Sequence, residues 1–292
     1  MSIRDHAIIV SLTVTKPQMS KTDNTATRAA EQATNAHKAG HYRKDLYPKH
    51  LVQPIRTIES SARAFVENNT YPWARGEHLL PAKRFMQFAE AIGQYELQFD
   101  QAVTAFLQNW VNVLDQAKLS QGDLFNADDY PDLSDLRRQF RFKANYRQVA
   151  DNNDIRVKLQ DEEIDLLRKQ MEDNAKEQME DLMREPLVRL REAVQHIANV
   201  TGKSDRVVNN ARTGHAEIKP PIFRDTVFDG LTREIELLSD FSAALGSDYD
   251  IAKEAEAVIT TPEAIRNDPA LRKETNNKTA DLLARIDAML EE

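Results

Sequence analysis

The chain contains no cysteine, which excludes disulfides, thiolate zinc sites and cysteine nucleophiles and makes a reducing compartment the natural expectation. Glycine is scarce, 8 of 292 residues, while long stretches are rich in Ala, Glu, Gln, Leu and Arg; both facts point to a mainly helical protein. No apolar run approaches the ~20 residues needed to span a bilayer, and IIVSLTV near the start is too short and too alternating for a secretory leader. A soluble, cytoplasmic protein is expected, with no membrane partner.

Catalytic signatures are missing too. There is no G-x-S-x-G elbow, no H-E-x-x-H and no G-x-G-x-x-G. The TGKS at 201–204 resembles the end of a phosphate-binding loop, but Ile197 stands where the earlier glycine is required, and the preceding element reads as a helix. His37 and His41, spaced i and i+4 with Asp45 and His50 nearby, read as solvated histidines on a polar helix rather than metal ligands, since no further carboxylate or thiol joins them at helical spacing. Asp128, Asp129, Asp132 and Asp135 around Tyr130-Pro131 read as turn and cap residues. The expectation is a protein that is not an enzyme, with no catalytic residue, metal, cofactor or small-molecule substrate.

What is present is an uneven distribution of charge. The net charge is −8, yet residues 137–158 carry seven basic and two acidic side chains, whereas residues 159–292 carry 18 and 29. The basic stretch, QFRFKANYRQVADNNDIRVKL at 139–159, alternates as a β-hairpin. Phe140, Phe142, Ala144 and Tyr146 fall on one side of its first strand, and Arg141, Lys143, Asn145 and Arg147 on the other. After the turn ADNND, Ile155, Val157 and Leu159 alternate with Arg156 and Lys158. Paired strands would put five cations, Arg141, Lys143, Arg147, Arg156 and Lys158, on one face, a candidate for phosphate contacts. The aromatics sit on the opposite face, which favours packing and backbone contact over base recognition. The same cations could also be an ordinary solvated face, neutralised by the acidic segment that follows.

The rest of the pattern is mostly helical. Residues 7–16 alternate as a strand, the natural third member of a sheet with the hairpin. Residues 20–40 read as a loosely packed helix or arm stopped by Gly40, and 50–68 as an amphipathic helix on Leu51, Ile55, Ile58, Ala62 and Phe65. NNTYPWARGEHLLP breaks the pattern. From Ala82 to Leu119 an aromatic stripe from Phe85 to Trp110 predicts one continuous helix of about 55 Å. A second long helix opens at Asp161-Glu162-Glu163, contains Pro186 and ends at Gly202, with near-heptad spacing from Ile164 to Ile197 that predicts a helical hairpin or coiled coil with 224–245. Residues 202–223 read as a loop; a helix at 248–260 and a polar, partly ordered helix after Thr261-Pro262 follow.

The reading is an α+β, mostly α protein: a long-helix bundle or antiparallel helical hairpin with a small antiparallel three-stranded sheet. It divides at 1–160 (sheet and long helix), 161–260 (helical hairpin) and 261–292 (polar tail). Tyr71-Pro72-Trp73, Leu79-Leu80-Pro81, the aromatic helix, Asp129-Tyr130-Pro131 and Phe140-Arg141-Phe142 together resemble a family without assigned function found in phages, prophages and their bacterial hosts, over about residues 5–245. The resemblance implies a phage-associated, non-secreted protein in the host cytoplasm, supplies no site residue, and favours DNA-related or adaptor roles. Two functions are carried forward: sequence-independent nucleic-acid binding, single-stranded DNA included, through the basic hairpin, and a homo-oligomeric structural or adaptor protein gripping a protein partner through its long helices.

Overall fold

The computed structural model describes residues 6–149, 169, 184–209, 216–222, 224–245 and 250–291. The chain is mostly helical with a small antiparallel sheet. Two compact units emerge: one from Met1–Ile9, Asn68–Phe85 and Arg147–Glu292, the other from Val10–Glu67 and Met86–Tyr146. Among the described residues, no helix is long and apolar enough to cross a membrane.

The largest sheet has four strands, not three. Its order is β4 (Tyr71–Ala74), β5 (Glu77–Pro81), β1 (Ala7–Thr15), β6 (Arg141–Gln148). The hairpin β4–β5 occupies the stretch that reads as a pattern break. Its two strands pair antiparallel, Tyr71 opposite Leu79, and the turn is made by Gly76 at φ 75°, a left-handed conformation that glycine adopts without strain. The expected second strand of the basic hairpin, 155–159, lies outside the described residues.

In the first unit the core gathers around α7 (Asp229–Leu245). The helix at 184–201, our α6, buries Leu190, Val194 and Ile197 in one cluster with Leu231 and Leu238 of α7. The stripes of the expected helix pair thus share a core over the described residues, while 161–183, apart from residue 169, lie outside them. A second face of α7 sends Leu237 and Phe241 into another cluster with Ala7, Ile9, Tyr71 and Leu79. Helices α8 (Asp250–Glu256), α9 (Pro262–Asn267) and α10 (Pro269–Glu291) add Ile251, Ile265, Leu282 and Ile286 to the first cluster. The C-terminal segment is therefore packed rather than a loose tail. Arg272 is 5% exposed and donates to the carbonyls of Ile265 and Arg266 at 3.1 and 3.2 Å, with Asp205 as its ion partner. Residues 202–223 hold a two-stranded ribbon, β7 (Arg206–Asn209) with β8 (Ala216–Lys219), where a loop was expected. The lysine and serine of TGKS follow a helix end: the Gly202 N–H bonds Ala198 O, and a Cβ there would lie 3.1 Å from that oxygen, so the glycine serves close packing.

The second unit is built on α2 (Lys49–Asn69), α3 (Phe85–Gln108) and α4 (Trp110–Gln121). Helix α2 buries Val52, Ile55, Ala62 and Val66, a stripe that shares only its centre with the expected one. The expected single helix at 82–119 is two, because Asn109 leaves helical geometry (φ −90°, ψ 17°) while its side-chain amide donates to Ala105 O; a short amide side chain competing for backbone carbonyls is a known cause of such breaks. Helix α1 (Asn24–Thr34) buries nothing, as expected of a polar segment, and stops at left-handed Asn35 rather than Gly40. Around it, β2 (Ser20–Thr22) and β3 (Arg43–Asp45) form a ribbon that the composition did not announce.

Candidate nucleic-acid interface

Strand β6 is positioned from both ends of its first half. Helix α5 (Leu133–Gln139) feeds into it, with Arg137 ion-paired to Asp100 of α3, and the Thr15 hydroxyl donates to Gln139 O at 3.1 Å. The aromatic side then locks onto α3: Phe142 lies 5.5 Å from Phe99 between ring centroids, and Phe140 lies 5.9 Å from Phe106 and 6.4 Å from Phe99. Both Phe140 and Phe142 are buried. Burying two phenylalanines on one face of a strand forces the alternate residues outward.

Arg141, Lys143, Asn145 and Arg147 are accordingly exposed, as the alternation predicts. Their surroundings differ. Arg147 is held by Glu77, its Nε 3.2 Å from Oε1 and a second guanidinium nitrogen on Oε2. Arg141 donates only a long bond, 3.4 Å, to Arg138 O, and neither Arg141 nor Lys143 has an acidic partner among the described residues. Arg156 and Lys158 lie outside the described residues. Tyr146 departs from the expectation of a wholly buried aromatic face: it is 37% exposed, and burial of the remainder, with the nearby Glu96 carboxylate, raises its hydroxyl pKa above the ordinary value.

Beside the strand runs a groove of about 780 Å³ between α3 and β6. Its walls include the Phe140 and Phe142 edges together with Arg141 and Lys143, so residues from both sides of the strand meet along one opening. From α3 come Gly93, Glu96 and Leu97, the last 52% exposed. The alternation alone separates cations from aromatics; the groove at the strand's margin brings them together.

Elsewhere the sequence-based candidates resolve differently. His37 and His41 are exposed and lie beyond the end of α1, so their spacing places them on no common helix face. Among the described residues no group of three His, Cys, Asp or Glu is arranged to hold a metal ion. Of the acidic knot, Asp135 pairs with Arg138 and Asp132 precedes α5 without a side-chain cap bond. Asp129 sits in a 3-10 turn, as expected, but does more than turn duty: it is 3% exposed at its side chain and accepts from Lys44 at 2.8 Å and Lys21 at 2.5 Å. Lys44, itself 5% exposed, also reaches Asp23 at 3.3 Å and Leu124 O at 2.5 Å. Burial alone would lower the Lys44 pKa, but hydrogen bonds to Asp129 and Asp23 outweigh it and raise it. Burial raises Asp129 in the same way, and the bonds from Lys21 and Lys44 reverse that and lower it. With every charge compensated, this cluster is a structural lock. No sequence signal marks it, since Lys44 sits in a run, HYRKD, that reads as solvated.

No protein-family model, no curated protein and no solved structure matches this chain. The functional reading therefore rests on the residues and their geometry.

Proposed function

We propose that the protein is a non-enzymatic accessory protein that binds nucleic acid sequence-independently through the exposed cations of β6, in the phage-associated setting that the sequence resemblance implies. The observation that carries this reading is the pair Arg141 and Lys143. Both are solvent-facing on a strand whose opposite side is buried, and neither meets an acid among the described residues. Cations two apart on one strand are spaced about 6.6–6.8 Å, which leaves room for each to meet its own phosphate along a single strand. In an acidic chain such a pair is a local attraction within an otherwise repelling surface. Helix-mediated gripping of a protein partner has less support, because the apolar stripes of 184–201 and α7 face each other in one core cluster.

The test is fluorescence anisotropy with labelled oligonucleotides at several salt concentrations, comparing wild type with Arg141→Glu/Lys143→Glu. The logarithm of wild-type affinity should fall linearly with log salt, and the double variant should lose about 1.4 from the slope on single strands, ~0.7 for each phosphate contact. No binding by the wild type at low salt, or an unchanged slope in the variant, refutes the proposal.

A further inference from the structure

We infer that the groove beside β6 receives an unpaired base, so that the protein prefers single-stranded over duplex nucleic acid. This rests on the reading above and goes beyond it, because phosphate contact by Arg141 and Lys143 does not by itself distinguish the two forms.

Four observations converge on the groove. Its volume, about 780 Å³, falls within the ~300–1,000 Å³ of ligand-sized clefts. Its floor is apolar, formed by Phe99, Val103, Phe140 and Phe142, all buried, and its flank carries Leu97, a large aliphatic side chain left 52% exposed. The same lining carries the Arg141 and Lys143 cations, so apolar surface and two cations without an acidic partner among the described residues share one opening, while Arg137 is paired with Asp100. That combination complements a single strand, which offers a charged backbone on one side and apolar base faces on the other. A duplex keeps its bases stacked and paired inside, and would leave the trough unfilled unless a base were extruded at a cost of a few kcal/mol.

The fourth observation is Gly93. It lies in the middle of α3, where glycine costs roughly 1 kcal/mol relative to alanine, yet a Cβ built there would meet nothing within 4 Å. Neither a positive φ nor a close internal neighbour asks for glycine at this position. It is exposed and lines the groove, so a large side chain there would narrow the groove mouth. Glu96, one turn further on and in no ion pair among the described residues, adds a carboxylate that can accept from a base amino group. The carboxylate of Asp100, also in the lining, is already engaged by Arg137.

The experiment compares binding of a fluorescent single-stranded oligonucleotide and its duplex to wild type, Gly93→Leu and Gly93→Ala. Wild type should bind the single strand at least fivefold more tightly at equal salt. Gly93→Leu, which fills the mouth at an exposed helix position and improves helix propensity, should erase that preference while leaving duplex binding and the single-strand salt slope unchanged. Gly93→Ala serves as the folding control and should keep most of the preference. Equal binding of both forms by the wild type, with binding lost on charge reversal at Arg141 and Lys143, overturns the groove inference and leaves the proposed function standing. No binding of either form removes both. If Gly93→Leu abolishes self-association in sedimentation without changing single-strand affinity, the groove is an interface between copies and the inference falls.

Discussion

Lys21 and Lys44 stand directly opposite one another across the β2–β3 ribbon and share one carboxylate, Asp129 giving Oδ1 to the first and Oδ2 to the second. Like charges at directly opposed positions destabilise a strand pair, so the ribbon depends on that anion. The acid arrives from more than eighty residues further along, in the 3-10 turn Ala127–Asp129, and ties the ribbon to the body of its unit.

Removing the shared acid should therefore cost more than removing either cation. Lys44→Met should lower stability by about 2–3 kcal/mol, below the ~3–5 kcal/mol of a buried pair broken outright, because Lys21 still faces Asp129. Lys21, half exposed, should cost under ~1 kcal/mol when changed to Ala. Asp129→Asn should exceed both, since it leaves two opposed ammonium groups without the bridge. Each unit carries one of the chain's two tryptophans, Trp73 in the first and Trp110 in the second, so urea unfolding followed by Trp110 fluorescence in a Trp73→Phe background reads this unit alone. A cost for Asp129→Asn no larger than that for Lys21→Ala would contradict the bridging role.

The same cluster sets a pH window. Asp23 is lowered chiefly by the Ala26 N–H that it caps, and Asp129 by its two lysines once they overcome burial. Lowered carboxylates contribute stability that is present above the ordinary value near 4 and is lost as pH falls through their folded values. Lys44 is raised, so its contribution is present below the ordinary 10.5 and is lost as pH climbs through the higher folded value. Tyr47, pushed up to about 12 by burial and then by Tyr130, acts in the same direction on the alkaline side. The urea midpoint reported by Trp110 should thus decline at both ends. Asp129→Asn should flatten the acid limb, and Tyr47→Phe the alkaline one; limbs that stay as steep in the variants would show that other groups control them.

Periodicity carried some elements further than others. The stripes of α3 and α7 were legible because large apolar residues recur every three to four positions along each helix, and β6 because Phe140 and Phe142 alternate with Arg141 and Lys143. Hairpin β4–β5 was not: Tyr71-Pro72-Trp73 and Arg75-Gly76 look like a break until β1, more than sixty residues earlier in the chain, supplies the neighbouring strand. The break at Asn109 was hidden because the stripe runs through it unchanged from Phe106 to Trp110, whose rings still lie 6.1 Å apart. The candidate site was half legible. Alternation gave the exposed cations, but the groove is made by α3 and β6 together, and no local pattern records that Gly93 and Lys143 line the same opening.

Arg147 offers a test of whether exposure or pairing decides which cations of β6 act on a polyanion. It is as outward-facing as Arg141, with 52% of its side chain exposed, but two of its guanidinium nitrogens are already on Glu77. An arginine held by two bonds to a carboxylate must give up that pair before it can neutralise a phosphate, so the counterions that it would release on binding are fewer. Arg147→Ala should therefore change the salt slope of oligonucleotide binding by well under the ~0.7 expected per phosphate contact, while the loss of a solvent-exposed pair costs at most about 1 kcal/mol of stability. Arg141→Ala, measured in parallel, should take the full step. If Arg147→Ala lowers the slope as much as Arg141→Ala does, the Glu77 pair does not sequester the guanidinium, and charge on the strand counts regardless of its partner.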